Sequence, residues 1–346
     1  MPNKTLPQFR FLCFGVGAIG TYIGGSLALA GQQVVFLEKP GAAAELREKG
    51  IGLILSDGEH HLQNPDIVST IEDALTHGPF DAVIFAVKSY HTRSVLKYFT
   101  PYTVALPPFL CLQNGVENED VLKEVIGADK VIPVSITTAI GRRGVGDIVV
   151  ERFRGVGIAE GHQLTGALAA VFNEAGLNAH LYPNAYGMKW SKMLTNLSAN
   201  ASSAILNMTP VEIFSHPGLF RIEMQQLRET LRVMRAQKIK LTDLPGTPVR
   251  LLGFAARFLP AFISQPLLIR SLGKGRGGKM PSFHIDLHLG TGKSEVDFLN
   301  GAVARAGEKY GVKTPVNQFF NETLLALTEG TIPLDTYDHQ PEKFPA

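Results

Sequence analysis

The feature that most constrains this chain is a glycine-rich turn near its start, Gly15-Val16-Gly17-Ala18-Ile19-Gly20. The turn follows an apolar run, Phe9 to Phe14, and opens a helical stretch that ends at Gly31. In such a G-x-G-x-x-G turn the first glycine permits the bend, the second lets backbone approach a pyrophosphate, and the third allows close strand and helix packing. Because a helix N-terminus also favours an anion, the turn predicts a dinucleotide-binding βαβ unit.

The first half of the chain alternates apolar runs with helical stretches, and the second half reads as mostly helical. The further runs are Val34 to Leu37, Asp81 to Val87 and Phe109 to Leu112, with shorter pieces at Val131 to Thr137 and Asp147 to Val150 that we expect to extend the same sheet. This alternation of strands and helices is typical of a parallel, doubly wound sheet. We therefore predict an α/β fold, with a Rossmann-type domain over residues 8–182, an all-α domain over 184–335, and the active site between them.

Three helical regions are predicted in the second half: about Ala185 to Asn207, Ile213 to Gln237, and Glu295 to Leu327 with an interruption near Gly311 to Pro315. The mostly apolar segment Leu251 to Ile269 is broken by Arg257, Pro260 and Pro266. A membrane-spanning helix needs about 20 apolar residues with few or no charges. We interpret this segment as part of a helical insert over about residues 241–280, with no membrane partner; contact with a membrane surface is the alternative.

Composition excludes several classes of protein. The 346 residues carry 33 basic and 31 acidic side chains, a net charge of +2 that is too balanced for a nucleic-acid-binding surface. Cys13 and Cys111 lie in apolar runs, where we expect buried, reduced thiols. The first residues show no secretory signal, so we expect a cytoplasmic protein.

Two neighbouring residues make opposite predictions about the dinucleotide. Glu38 ends the second predicted strand 18 residues after Gly20, close to the roughly 20 expected for an acid that binds the ribose 2′-hydroxyl of NAD. Lys39 follows it and could instead meet the 2′-phosphate of NADP. Both readings stay open on the residues alone.

Polar residues also follow two further strands, at the edge where ligands bind in open α/β sheets. Lys88 comes after Asp81 to Val87, and Asn114 comes two residues after Leu112. Both side chains are candidates for the nicotinamide end of the site. For each residue a purely structural role is a nearly equal alternative: Lys88 could be an exposed lysine at the end of a strand, and Asn114 could be the first residue of an Asn-Gly turn.

The segment Trp190 to Asn200 carries the strongest catalytic pattern. Lys192, Asn196 and Asn200 are spaced by four residues, which on one helix places them along a single stripe. No charged residue occurs from Met193 to Val211, so the helix is expected to be enclosed and its amides to need partners. Burial lowers the pKa of an ammonium group toward the range useful for proton transfer, which makes Lys192 a candidate general acid.

The chain resembles the ketopantoate reductase (2-dehydropantoate 2-reductase) family of the 6-phosphogluconate dehydrogenase-like superfamily. The matching pieces, in chain order, are GVGAIG, AVK, QNG, WSKMLTNLSAN, PSFHIDL and SEVDFLNGAVARAGEKYGVKTPVN. The resemblance implies an NADPH-dependent reduction of 2-dehydropantoate to (R)-pantoate in pantothenate biosynthesis, with Lys192 as the general acid. It further implies substrate contacts from Asn196, Asn200, Ser282 and Glu295, and cofactor contacts from Lys88 and Asn114.

Two other functions remain open on the sequence. A reductase of the same fold could act on another 2-oxo acid or ketone, because the insert is longer than compact family members carry. A non-catalytic NADP-binding sensor is the alternative from a different class. His284 and His288 are four residues apart, but without a third ligand they do not predict a metal site. The apolar C-terminal helices make a homodimer plausible.

Overall fold

The computed structural model describes residues 7–276 and 279–344 and divides the chain into two compact units. The first unit runs through Gln113 and includes Glu117–Lys189 and Leu244–Thr247. The second unit comprises Asn114–Val116, Trp190–Asp243 and the chain from Pro248 onward.

The strands all lie in the first unit and form two sheets. Among the described residues they are β1 (Arg10–Phe14), β2 (Gln33–Leu37), β3 (Ile51–Leu55), β4 (Gly58–Leu62), β5 (Asp66–Val68), β6 (Ala82–Phe85), β7 (Phe109–Cys111), β8 (Val131–Ile136), β9 (Ala139–Gly144), β10 (Asp147–Arg152), β11 (Val156–Ala159) and β12 (Ala179–Tyr182). The larger sheet has the order β12-β11-β8-β7-β6-β1-β2-β5, and the smaller one has the order β4-β3-β10-β9.

The larger sheet is parallel except where β8 meets β11. Its central strands are buried on both faces: Phe11 and Cys13 of β1 pack into one apolar cluster, and Leu12 packs into another. Continuous apolar runs are typical of strands covered on both sides. The predicted α/β fold class is therefore confirmed, and both cysteines are buried free thiols.

One strand lies in a different sheet from the one expected. Residues 147–150 were expected to extend the parallel sheet, but β10 pairs with β3 and β9 in the smaller sheet. In β10, Ile148 is fully buried and Glu151 is exposed. A strand with one solvent-exposed face is typical of such a mixed sheet, whereas the strands of a sheet covered on both faces are buried on both sides.

The helices frame the larger sheet and build the second unit. Among the described residues they are α1 (Ala18–Leu29), α2 (Pro40–Lys49), α3 (Ile71–Thr76), α4 (Thr92–Phe99), α5 (Asn118–Ile126), α6 (Thr165–Glu174), α7 (Ala185–Leu197), α8 (Asn200–Leu206), α9 (Pro210–Ser215), α10 (Pro217–Ala236), α11 (Val249–Phe258), α12 (Ala261–Arg276), α13 (Ser282–His288), α14 (Ala302–Lys309) and α15 (Pro315–Glu329). A π-helical segment, Asp297–Gly301, leads into α14. None of the helices in the described ranges is both long and apolar enough to cross a membrane.

Two predicted helices are each broken in the structure. The single helix expected over Ala185 to Asn207 is wrong, because Ala199 adopts a left-handed conformation (φ 52°) between α7 and α8. The helix expected over Ile213 to Gln237 breaks at His216, which is extended. The following residue, Pro217, disfavours a helical conformation in the residue before it. The interruption predicted near Gly311 to Pro315 is confirmed between α14 and α15.

Candidate active site

The glycine-rich turn joins β1 to α1 with the geometry that its three glycines predict. Gly15 has a φ of 92°, and its amide donates to the carbonyl of Leu37 at 3.2 Å. Gly17 caps α1, and a Cβ there would meet nothing within 4 Å. A Cβ on Gly20 would collide with the carbonyl oxygen of Gly15. Ala18 and Ile19 form the first turn of α1, whose free amides can face an anion.

Glu38 is held against this turn by its carboxylate. Its Oε2 accepts a hydrogen bond from the amide of Val16 at 2.8 Å, and its Oε1 accepts one from the amide of Lys39 at 2.9 Å. Glu38 is half-buried, whereas Lys39 is exposed and precedes α2. The structure therefore fixes an acidic group beside the dinucleotide turn, while the neighbouring cation lies in solvent.

The ends of β6 and β7 are connected by a buried side-chain network. Nε2 of Gln113 donates to the carbonyl of Val87 at 3.0 Å and to Oγ1 of Thr92 at 2.7 Å. Lys88 is half-buried and directly follows Val87, so this network fixes the backbone from which it projects. Sequence reasoning named Lys88 but gave no role to Gln113.

A buried ion pair in the first unit was missed entirely. Nζ of Lys189 lies 2.7 Å from Oε1 of Glu119, and both side chains are more than nine-tenths buried. The same ammonium donates to the carbonyls of Gln113 at 2.7 Å and Val134 at 3.2 Å. Burial is the largest influence on the pKa of Lys189 and acts to lower it, but the interactions with Glu119 and Cys111 together outweigh burial and the pKa is raised. Lys189 is therefore a fixed cation that holds strand ends.

Lys192 lies one helical turn further along α7 and has different surroundings. It is half-buried, with Trp190 and Leu194 buried on the packed side of the helix. Asn196 follows on the next turn, and its Nδ2 donates to Oδ1 of Asn114 at 3.0 Å. The structure thus brings together Asn196 and Asn114, which the sequence predicted separately as substrate and cofactor contacts.

Asn200 lies beyond the break and meets a second predicted residue. Its Oδ1 accepts from the amide of Phe283 at 3.1 Å, and its Nδ2 lies 3.5 Å from Oγ of Ser282. The predicted single stripe of Lys192, Asn196 and Asn200 is therefore wrong, because Asn200 starts a new helix. Its amide instead holds the N-terminus of α13, where Ser282 is exposed.

The break itself is held by a carboxylate that the sequence did not reveal. Oε2 of Glu223, on α10, accepts from the amide of Ala199 at 2.8 Å and from Nε2 of Gln226 at 3.0 Å. Oε1 of Glu223 accepts from Oγ of Ser202 at 2.6 Å. Burial raises the pKa of Glu223 to about 7, against the effect of these hydrogen bonds. A glutamate two dozen residues away gives no local pattern that would link it to Ala199.

Glu295 is a further buried acidic residue of the helical unit. It is 4% exposed and lies two residues before the first residue of the π-helical segment, and the amide of Phe298 donates to its carbonyl oxygen at 3.0 Å. π-Helical turns like the one at Asp297–Gly301 frequently occur at functional sites. A buried acid at this position is a candidate acceptor for a substrate hydroxyl.

Together these features define a class of protein. A parallel sheet, a glycine turn that caps α1 and an acid at the end of β2 are the parts of a Rossmann-type dinucleotide-binding fold. A half-buried lysine accompanied by amides, a hydroxyl and a buried acid can bind a small anion and donate a proton. The chain is therefore an oxidoreductase of the dinucleotide-dependent type.

Matches to family models identify the family of oxidoreductases to which this chain belongs. The model for ketopantoate reductase PanE/ApbA matches residues 11–161, and the model for the C-terminal part of the same enzymes matches residues 184–328. The chain belongs to the ketopantoate reductase family, which confirms the resemblance.

Individual relatives agree with this assignment along nearly the whole chain. A 2-dehydropantoate 2-reductase of Archaeoglobus fulgidus is 26% identical over 330 residues, 93% of this chain and 97% of that protein. One of Halobacterium salinarum is 25% identical over 319 residues, 89% of this chain and 95% of the relative. The crystal structure of a PanE/ApbA family ketopantoate reductase from Ralstonia eutropha JMP134 superposes with a TM-score of 0.77 at 26% identity, covering 93% of this chain and 99% of its own.

A D-mandelate dehydrogenase in complex with NADH and anilino(oxo)acetate has the same fold. Its TM-score is 0.75 at 22% identity, and the match covers 93% of this chain and 99% of that one.

Proposed function

We propose that this enzyme reduces 2-dehydropantoate to (R)-pantoate, a step of pantothenate biosynthesis, with Lys192 as the general acid. The observation that carries the proposal is the arrangement along α7 and α8. Lys192, Asn196 and Asn200 follow one another there, and the two amides contact Asn114 and Ser282. The relatives named 2-dehydropantoate 2-reductase support the substrate.

The reaction adds one hydride and one proton to a ketone. A reduced nicotinamide dinucleotide, which the glycine-rich turn and Glu38 would hold, would supply the hydride for the carbonyl carbon. The ammonium of Lys192 donates the proton to the carbonyl oxygen as negative charge develops there, and the neutral amine then recovers a proton from solvent. Lys189 is less suited to this step, because its ammonium is held by Glu119 and two backbone carbonyls.

The remaining polar groups would bind and orient the substrate. We assign the substrate carboxylate to the hydroxyl of Ser282 and the amides of Asn196 and Asn200, which can donate hydrogen bonds to it. The carboxylate of Glu295 would accept a hydrogen bond from the substrate hydroxyl. With a net charge of only +2, attraction of an anionic substrate must come from local cations such as Lys192.

For the hydride donor, the geometry at the end of β2 favours NADH over the NADPH that the resemblance implies. The chain has the parts that hold a dinucleotide: the open backbone at Gly17, the first turn of α1 and the Glu38 carboxylate. A carboxylate at that position can accept hydrogen bonds from ribose hydroxyls and repels a 2′-phosphate. The hydride chemistry is the same for either donor, so this choice does not affect the proposed reaction.

Another 2-oxo acid is the second candidate substrate, because a D-mandelate dehydrogenase shares the fold.

The two buried free thiols support a reducing, cytoplasmic location.

A substrate panel tests the proposal. Purified enzyme is mixed with NADH or NADPH and with 2-dehydropantoate, 2-oxoisovalerate, phenylglyoxylate or pyruvate, and the loss of nicotinamide absorbance is followed. The proposal predicts the highest kcat/KM for 2-dehydropantoate. Turnover of another keto acid with none of 2-dehydropantoate would contradict it. Dinucleotide binding without turnover of any carbonyl compound would indicate the sensor instead.

A further inference from the structure

Gln226 of α10 carries a fully buried amide to which the proposed reaction assigns no role. Its Nε2 donates to the carbonyl of Leu197 at 3.2 Å and to Oε2 of Glu223 at 3.0 Å. Its Oε1 accepts from Nδ2 of Asn300 at 2.8 Å. Both N–H groups and the oxygen of the amide are therefore used. Because a buried polar group without a partner is costly, this side chain cannot turn without disturbing all three contacts.

One end of this bridge is the break between α7 and α8. Leu197 is the last residue of α7 and directly follows Asn196. Glu223, the other partner of Nε2, accepts from the amide of Ala199 at 2.8 Å. Gln226 thus holds the backbone between the two proposed substrate amides, directly at Leu197 and through Glu223 at Ala199.

The other end of the bridge is the π-helical segment that follows Glu295. Asn300 is a fully buried residue of this segment and lies five residues after Glu295. Besides its bond to Gln226, its Nδ2 donates to Oδ1 of Asn317 on α15 at 3.2 Å. Because a π-helical turn is rare, we expect contacts from neighbouring helices to stabilise it. The contacts with α10 and α15 fix the segment and thereby the chain at Glu295.

We propose that Gln226 is a positioning residue that sets the spacing between the substrate amides and Glu295. This spacing makes the enzyme selective for a 2-oxo acid that carries a hydroxyl group. Gln226 acts through the backbone of Leu197 and through Asn300 rather than on the substrate itself. The inference rests on the proposed function, which assigns the substrate carboxylate to the amides and the substrate hydroxyl to Glu295.

The spacing matters because the substrate is held at both ends. The carboxylate and the hydroxyl of 2-dehydropantoate lie at opposite ends of a short carbon chain, so both are bound only when their partners are correctly separated. A displacement of about 1 Å can cost about 10²-fold in rate. A site built to bind a hydroxyl rejects an analogue without it by about 10⁴–10⁵-fold in favourable cases, because a buried polar group is left unpaired. Selectivity for the hydroxyl is therefore the property most sensitive to this spacing.

Steady-state kinetics with two substrates tests the proposal. The substrates are 2-dehydropantoate and 3,3-dimethyl-2-oxobutanoate, which is the same keto acid without the hydroxyl group, and the measured quantity is the ratio of their kcat/KM values at saturating NADH. Gln226→Met keeps a side chain of similar length and removes all three hydrogen bonds. The ratio should fall at least about tenfold, through a lower kcat/KM for 2-dehydropantoate.

Asn300→Ala breaks the same bridge from its other end and should lower the ratio to a similar extent. The double variant Gln226→Met/Asn300→Ala should lower it no further than Gln226→Met does, because residues that act through one shared contact are not additive. The dissociation constant for NADH should be the same in all these variants as in wild type.

Thr230→Val is the matched control. Thr230 is a fully buried residue of α10, one turn after Gln226, and its Oγ1 donates to the carbonyl of Gln226 at 3.0 Å. Valine removes this bond within the helix and leaves the bridge intact. The melting temperature should therefore fall, while the kcat/KM ratio stays within about twofold of wild type.

Circular dichroism establishes that each variant is folded. If Gln226→Met does not fold, Gln226→Asn gives the same test, because it keeps a buried amide whose reach is shorter by one methylene group, and the same decrease is expected. Folded variants at positions 226 and 300 whose ratio stays within about twofold of wild type would overturn the inference. An equal loss of kcat/KM for both substrates would also overturn it. Wild-type enzyme that does not reduce 2-dehydropantoate would contradict the proposed function, and the inference with it.

Discussion

Two lysines one turn apart on α7 show that the surroundings of a single residue determine whether it is suited to proton transfer. Lys189 is buried against Glu119 and two carbonyls, whereas Lys192 is half-buried beside the Asn196 turn. The sequence pattern selected Lys192 through its spacing to two asparagines. It could not show why Lys189 is unsuited to proton transfer, because the partners of Lys189 lie after β7, in β8 and in α5, far away along the chain.

Glu38 leads to a prediction about dinucleotide selectivity. Its carboxylate is fixed beside the turn by the amide of Val16, so wild-type enzyme should bind NADH at least about tenfold more tightly than NADPH. Glu38→Arg should reverse this ratio, because a guanidinium can pair with the 2′-phosphate. The dissociation constants are measured by quenching of protein fluorescence, without substrate.

The control for this prediction is Glu48→Arg, the same charge change at an exposed residue of α2, which should leave the NADH to NADPH ratio as in wild type. Tighter binding of NADPH by wild-type enzyme would show that Lys39 decides the choice. Failure of this prediction would leave the proposed reaction intact, because no substrate enters the measurement.

At the scale of elements, apolar runs and turn residues predicted the central strands well. Strands β1, β2, β6, β7 and β8 fall where the sequence placed them, to within about two residues. The short strands β3, β4, β5, β9, β11 and β12 were not predicted, since their residues alternate or are interrupted by glycine and polar side chains. Their existence depends on pairing with partners distant in sequence.

The break between α7 and α8 shows why a local pattern can fail. The residues from Ala185 to Asn207 read as one helix, yet the left-handed Ala199 is stabilised by Glu223 from α10. Only the tertiary contact reveals the break. The pair of Asn200 and Ser282 depends on it, because Asn200 begins the second helix.

Removal of the Glu223 carboxylate should destabilise the break. Glu223→Ala leaves the amide of Ala199 buried without its acceptor and removes one of the two acceptors of Gln226 Nε2, the other being the carbonyl of Leu197. We therefore expect the free energy of unfolding to fall by about 2–4 kcal/mol. Glu223→Gln keeps an acceptor for both and an amide that can donate to Ser202, so it should fold with far smaller loss. Urea denaturation measures both variants, and equal losses would contradict the assignment.

The same side chain predicts a pH dependence. Burial raises the pKa of Glu223 in the folded state to about 7, above the ordinary value of 4.5 that applies when unfolded. Between these values the folded protein retains a proton that the unfolded chain has lost, so its stability falls as pH rises. The wild type should lose about 3 kcal/mol relative to Glu223→Gln between pH 4.5 and 7, and no more above. A difference that does not change with pH would contradict this.

At the scale of the whole molecule, the fold class and the family were accessible from the sequence, because the glycine turn and the ordered motifs are local. The sequence also pointed to Asn196, Asn200, Ser282 and Asn114, and the structure joins them in two pairs. The supporting groups Gln113, Glu119, Lys189 and Glu223 were not predicted, since each acts through contacts between distant segments.

The most direct test of the central claim is the turnover of 2-dehydropantoate by Lys192→Met. If Lys192 donates the proton, kcat should fall by about 10²–10⁴-fold, while the dissociation constant for the dinucleotide stays as in wild type. Lys240→Met removes an exposed lysine of the same unit and should retain the wild-type kcat. A Lys192→Met enzyme whose kcat remains within about threefold of wild type would contradict the account.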